Sequence, residues 1–98
     1  MAVILIVDDE PDALEMFRLW LIKYDYEVLT VASGREAIET ARNSQPDLVL
    51  LDVMMPNMTG IETFRELRSL DETAHIPVVL ITAYDPAVGR VEALMAGA

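Results

Sequence analysis

Three carboxylates and one hydroxyl stand where short apolar runs stop. The run over Val3–Val7 ends on Asp8 and Asp9, the run over 48–51 ends on Asp52, and the run over 78–81 ends on Thr82. Carboxylates held close together repel and raise one another's pKa, so they call for a positive charge among them. Carboxylate oxygens with a backbone carbonyl and waters are the hard ligand set of Mg²⁺, which takes one or two protein carboxylates together with phosphate oxygens. A carboxylate beside such a cation can attack phosphorus, the chemistry that forms an aspartyl phosphate, while a hydroxyl such as that of Thr82 donates to a phosphoryl oxygen. Taken singly, each residue has a plainer reading. Asp9 and Glu10 before Pro11 are good helix-capping acids, Asp52 is an ordinary loop acid, and Thr82 is a strand-end hydroxyl bonded to backbone. The chemical reading rests on their convergence.

Convergence requires elements that bring these ends together. The first run is continuous rather than alternating, which predicts a strand buried on both faces. Pro11 opens a helix over 11–24, with an apolar stripe of Ala13, Leu14, Phe17, Trp20, Leu21 and Tyr24. Asp25 and Tyr26 make a turn into a second strand over 28–31. Ser33 with Glu36 reads as a capping box for a helix that buries Ala37, Ile38 and Ala41 and ends across 43–46. A third strand over 48–51 leads through a Met-rich loop, 53–58, to a second capping box, Thr59 with Glu62, and a helix facing inward with Ile61, Phe64 and Leu67. Pro77 introduces a strand over 78–81. Asp85 and Pro86 then cap a fourth helix carrying Val88, Val91, Leu94 and Met95, with Gly97 as its stop.

This βαβαβαβα alternation with short connections predicts an α/β fold, a doubly wound, mainly parallel sheet covered on both faces; in a flavodoxin-like strand order 2-1-3-4 the first and third strands would be neighbours. In such a sheet ligands bind beyond the carboxyl ends of the strands, where the strand order reverses. Asp8, Asp9, Asp52 and Thr82 all fall there.

Composition agrees and excludes much. A chain of 98 residues with 53% hydrophobic content can bury a core as a single domain, and without cysteine it has no disulfide, thiolate metal site or thiol nucleophile. The formal net charge of -10, with no cluster of Lys or Arg, argues against direct binding to nucleic acid or to an anionic membrane surface. The apolar opening is too short to span a bilayer and lacks the features of a signal peptide, so a cytoplasmic protein is expected. His75, alone in a polar loop, reads as a solvated residue. Met54, Met55 and Met58 read as loop packing beside oxygen ligands rather than as a soft-metal site.

Taken together, Val7-Asp8-Asp9-Glu10, then Leu50-Leu51-Asp52-Val53-Met54-Met55-Pro56 with Gly60, then Pro77-Val78-Val79 leading to Ile81-Thr82-Ala83, resemble the receiver domain of two-component response regulators. The resemblance runs over essentially all of residues 1–98. It implies a CheY-like signalling module rather than an enzyme in its own right. Asp52 would be the phospho-acceptor, Asp9, Asp52 and the backbone carbonyl of Met54 the direct Mg²⁺ ligands, Asp8 a ligand through water, and Thr82 the switch hydroxyl. The phosphoryl donor would be a histidine kinase or phosphotransfer protein. Met54 and Tyr84 would occupy the two variable positions that tune the lifetime of the phosphoryl group.

The sequence also departs from the family. Receiver domains continue into a fifth strand, a Lys-Pro pair and a fifth helix. No counterpart of that lysine stands here, since Lys23, the only lysine, lies near the end of the first helix. This reading predicts an incomplete domain with impaired phosphorylation, an unprotected sheet edge over 78–81 and an apolar sheet face uncovered beside the first helix. A homodimer or domain swap through that edge is the expected consequence. Two other functions compete. One is an idle scaffold that keeps the acidic pocket without signalling. The other is a Mg²⁺-dependent phosphatase of the haloacid-dehalogenase type, which would want a second Asp where Met54 stands.

Overall fold

In the computed structural model residues 2–85 and 90–96 are described, the side chains of 82–85 and 90–96 excepted. The elements are β1 (Val3–Val7), α1 (Pro11–Ile22), β2 (Glu27–Val31), α2 (Gly34–Ser44), β3 (Leu48–Asp52), α3 (Gly60–Ser69), β4 (Val78–Asp85) and β5 (Arg90–Ala96). The sheet has the order β2-β1-β3-β4-β5, and its first four strands are parallel. The predicted order 2-1-3-4 is therefore the observed one.

Strand parity divides the core in two. Leu5, Val7, Val49, Leu51, Val78 and Leu80 face α2 and α3, where Ala37, Ile38, Ala41 and Leu67 cover them. Ile4, Ile6 and Ile81 face the other way, towards Phe17 of α1. A central strand covered on both sides has no polar position to spare, which is why β1 is a continuous apolar run.

The helix starts follow their capping residues. Thr59 Oγ1 accepts the Glu62 amide at 3.2 Å, and the Thr59 amide returns a bond to Glu62 Oε1 at 2.9 Å, a complete capping box. Ser33 Oγ accepts the Glu36 amide at 3.2 Å, but Glu36 Oε1 takes its return bond from the Ser33 hydroxyl. Gln45, left-handed at φ 48°, ends α2 and ties it to the turn after α3 by donating to the Glu72 carbonyl at 2.9 Å.

Three expectations need correction. First, the segment expected to form a fourth helix contains β5, antiparallel to β4, with Leu80 opposite Leu94 and Ile81 opposite Ala93. The spacing of Val88, Val91, Leu94 and Met95 suits a helix, yet Arg90-Val91-Glu92-Ala93 also alternates as a strand does. Pairing with β4 satisfies a row of backbone groups that a helix would leave open. Pro86, Val88 and Gly97, parts of that expected helix, lie outside the described residues.

Second, the edge over 78–81 is paired with β5 and not unprotected. Third, α1 ends at Ile22, and of its expected apolar stripe Phe17 is buried while Trp20 and Tyr24 are 53% and 64% exposed. The sheet beneath is covered at Ile4, Ile6 and Ile81, so the apolar exposure falls on α1 itself. Phe17 fills the contact with the sheet, and Trp20 leans against it with ring centroids 6.5 Å apart.

Candidate functional site

β1 and β3 are neighbours, with Val7 opposite Leu51, and the chain passes from β1 outward to β2 before returning to β3. The order therefore reverses between β1 and β3. Asp8 and Asp9 follow the end of β1, and Asp52 closes β3. One carboxylate oxygen from each of the three lies within 4.8 Å of the others. The three acids singled out in the sequence are thus brought together.

Local turns aim them. Asp8 Oδ1 accepts the Glu10 amide at 2.9 Å, and Asp52 Oδ1 accepts the Met54 amide at 3.0 Å, each an Asx turn two residues long. Asp8 is buried, while Asp9 and Asp52 are half-buried. Burial pushes the Asp8 carboxyl up, with the Asp9 charge adding and the Glu10 N–H opposing. Burial also pushes Asp52 up, to about 6, with the charges of Asp8 and Asp9 adding and the Met54 N–H pulling the other way. Both shifts penalise a charged carboxylate in a site where, among the described residues, no salt bridge reaches the three acids.

Three crowded carboxylates, one of them buried, with no basic partner among the described residues, fit a hard dication by charge and by donor type. Asp8, Asp9 and Asp52 would hold it.

The loop after β3 is fixed by its own backbone. The Val53 amide donates to the Ile81 carbonyl at 3.1 Å, and the Met55 and Gly60 amides both donate to the Val53 carbonyl, at 3.2 and 3.1 Å. Asn57 turns the chain at φ 66°. Met55 is buried in the core and Met58 packs against it, as loop packing requires, whereas Met54 is 75% exposed. The Thr82 hydroxyl and the Tyr84 side chain lie outside the described residues; the Thr82 backbone sits at an irregularity in the β4 to β5 pairing, between Ile81 and Ala83.

Two features of the site were not read from the sequence. The Met54 amide engages Asp52; an Asp two residues before an available N–H is the signal that could have found it. The other is the close seat of Gly60 against Asp52, which depends on a tertiary distance and leaves no local signal.

Comparison with known proteins agrees with this geometry. The family described as response regulator receiver domain matches residues 4–98. The probable transcriptional regulatory protein TcrX of Mycobacterium tuberculosis is 42% identical over 94 residues, 96% of this chain and 39% of TcrX. The chain thus spans well under half the length of that relative. The N-terminal domain of a response regulator receiver protein from Methanoculleus marisnigri JR1 superposes with a TM-score of 0.83 at 38% identity, covering 89% of this chain and 72% of that one. The response regulator TrrA of Thermotoga maritima, solved in complex with Mg(2+)-BeF, gives 0.79 at 36% identity over 87% of this chain and 72% of its own. TrrA has also been solved in complex with the histidine kinase ThkA, with a TM-score of 0.78 at 36% identity and the same coverage.

Proposed function

The chain belongs to the response regulator receiver domain family, and from that premise we propose that it accepts a phosphoryl group on Asp52 from a histidine kinase or phosphotransfer protein and so changes its binding to a partner. The observation that carries this reading is the convergence of Asp8, Asp9 and Asp52, whose oxygens lie within 4.8 Å of one another at the switch point of the sheet. Mg²⁺ when bound would neutralise charge on the transferring group. Asp9, Asp52 and the Met54 carbonyl would hold it directly, and Asp8 through water.

The transfer itself is a displacement at phosphorus. An Asp52 carboxylate oxygen forms the new O–P bond, the P–N bond to the donor imidazole breaks, and its electron pair returns to the imidazole nitrogen, which takes up a proton. The Met54 N–H on Oδ1 orients the carboxyl. The Thr82 hydroxyl would then donate to a phosphoryl oxygen. Support comes from the neighbour TrrA, solved with Mg(2+)-BeF and with a kinase.

A second reading is an idle pocket. Among the described residues Lys23 caps the far end of α1, away from the strand ends that carry the acids, and no salt bridge reaches the three acids. In that reading the pocket takes Mg²⁺ but does not transfer phosphoryl efficiently. Intact mass after treatment with acetyl phosphate separates the two, with and without Mg²⁺ and with Asp52→Asn as control. A gain of one phosphoryl group that requires both Mg²⁺ and Asp52 supports the receiver function. No gain in a folded, Mg²⁺-binding chain supports the idle pocket.

A further inference from the structure

We infer that Gly60, which carries no reactive atom, is a positioning residue for the site: the bare Cα at the start of α3 lets the helix seat against the Asp52–Val53 backbone and so aims the Met54 peptide at Asp52. The inference rests on the reading of the site given above.

Gly60 is buried, and a Cβ built on it would fall against the Asp52 carbonyl oxygen, 2.6 Å from Val53 Cα and 2.8 Å from the Asp52 carbonyl carbon. Every one of these atoms is backbone of the strand end that bears the acceptor, so none can swing aside as a side chain would. The Gly60 conformation is not left-handed, so space rather than dihedral freedom explains the residue. Its amide also donates to the Val53 carbonyl at 3.1 Å. That carbonyl belongs to the Val53–Met54 peptide, whose N–H is the donor to Asp52 Oδ1 at 3.0 Å. One peptide unit is thus clamped by Gly60 at its oxygen and reports to Asp52 through its nitrogen.

The seat is rigid from behind as well. Thr59 and Glu62 lock the first turn of α3 in the capping box, and Val53 is itself tied to β4 through the Ile81 carbonyl. Adding a methyl at residue 60 must therefore displace either the helix or the peptide, and the peptide is the shorter lever. Gly34 makes the useful contrast. A Cβ there would meet the Thr63 hydroxyl and the Met58 side chain, 3.1 Å from its sulfur, and none of the acceptor backbone.

The test compares wild type, Gly60→Ala and Leu67→Ala; the last removes a buried core side chain from the same helix, seven residues beyond Gly60. For each, Mg²⁺ affinity is measured by calorimetry on protein shown to be folded, and the Met54 and Val53 amide resonances are compared without metal. The expected result is at least a tenfold loss of Mg²⁺ affinity and displaced Met54 and Val53 resonances in Gly60→Ala. Leu67→Ala should be less stable yet bind Mg²⁺ as wild type does.

Wild-type affinity and resonances in Gly60→Ala would overturn the positioning role alone. Wild-type protein that binds no Mg²⁺ would overturn the reading of the site on which this inference rests. Should Gly60→Ala not fold, the wild-type Gly60 amide decides. A shift on Mg²⁺ addition supports the clamp, and an unmoved resonance beside a shifted Met54 overturns it.

Discussion

The amide of Met54 donates to Asp52 Oδ1 at 3.0 Å, a bond that favours the charged carboxylate in a site that otherwise disfavours it. Burial, then the charges of Asp8 and Asp9, win the contest, so Asp52 is pushed up to about 6 from 3.8. The folded chain therefore holds this proton more tightly than the unfolded chain does. The contribution of Asp52 to stability is largest where it is protonated and is lost as pH rises from 3.8 through about 6. Asp8, also raised, acts in the same direction.

Asp52→Asn removes that penalty while keeping the shape of the side chain. Above about pH 7 the variant should be more stable than wild type by about 1 kcal/mol, a figure reduced for solvent screening of a half-buried group. That corresponds to a rise of roughly 4–8 °C in Tm for a domain of this size. The gap should close near about pH 4, where wild-type Asp52 is itself neutral. Thermal melts of both proteins across this range check it; a variant less stable than wild type at neutral pH would contradict the assigned repulsion.

In the proposed site Mg²⁺ would compete with the Asp52 proton for the same oxygens. Its apparent affinity should climb as pH rises to about 6 and level off above that value. Calorimetric titrations at stepped pH test this, and proton release on binding should be largest below the plateau. An affinity independent of pH across the interval would remove Asp52 from the ligand set.

Much of the fold was legible because each signal was local. The continuous apolar stretch of β1, the Thr59 and Glu62 box and the acids at the strand ends all report on neighbours a few residues away. Trp20 misled because a helical stripe shows which residues share a face but not how wide the opposing surface is; Phe17, flanked by Leu14, Met16 and Leu21, fills it. The segment 90–96 misled because a short apolar run fits both periods, and the decision belonged to the edge of β4. Gly60 was legible only as part of the family resemblance, because steric proximity to Asp52 is set by the whole βα unit.

Phe17 and Trp20 offer a direct check on that division of α1. Phe17→Ala opens a hole against Ile4, Ile6 and Ile81 and should cost about 3–5 kcal/mol. Trp20→Ala, on the exposed flank, should cost about 1 kcal/mol or less. Denaturant midpoints at constant slope measure both. Equal losses would mean that Trp20 is covered in solution.

Thr59→Ala removes the side-chain acceptor of the capping box and leaves the Glu62 amide without it. A loss of about 1 kcal/mol is expected, with α3 fraying at its first turn. Because that turn holds Gly60 against Val53, hydrogen exchange at the Gly60 amide should quicken along with that at Glu62. Faster exchange at Glu62 with no change at Gly60 would separate the cap from the loop.

The pairing of β5 with β4 makes the last prediction. Adjacent residues in a strand point their amides to opposite sides, so of Ala93 and Leu94 one donates into the ladder with β4 and the other points away from it. Proline at each position in turn gives a matched pair of variants with the same ring and the same restricted φ. Only the variant that loses the ladder donor should free the edge of β4 over residues 78–81, and freed edges pair with one another. Light scattering against concentration should then show self-association for one variant and wild-type behaviour for the other. Identical behaviour of the two would mean that β5 does not protect that edge.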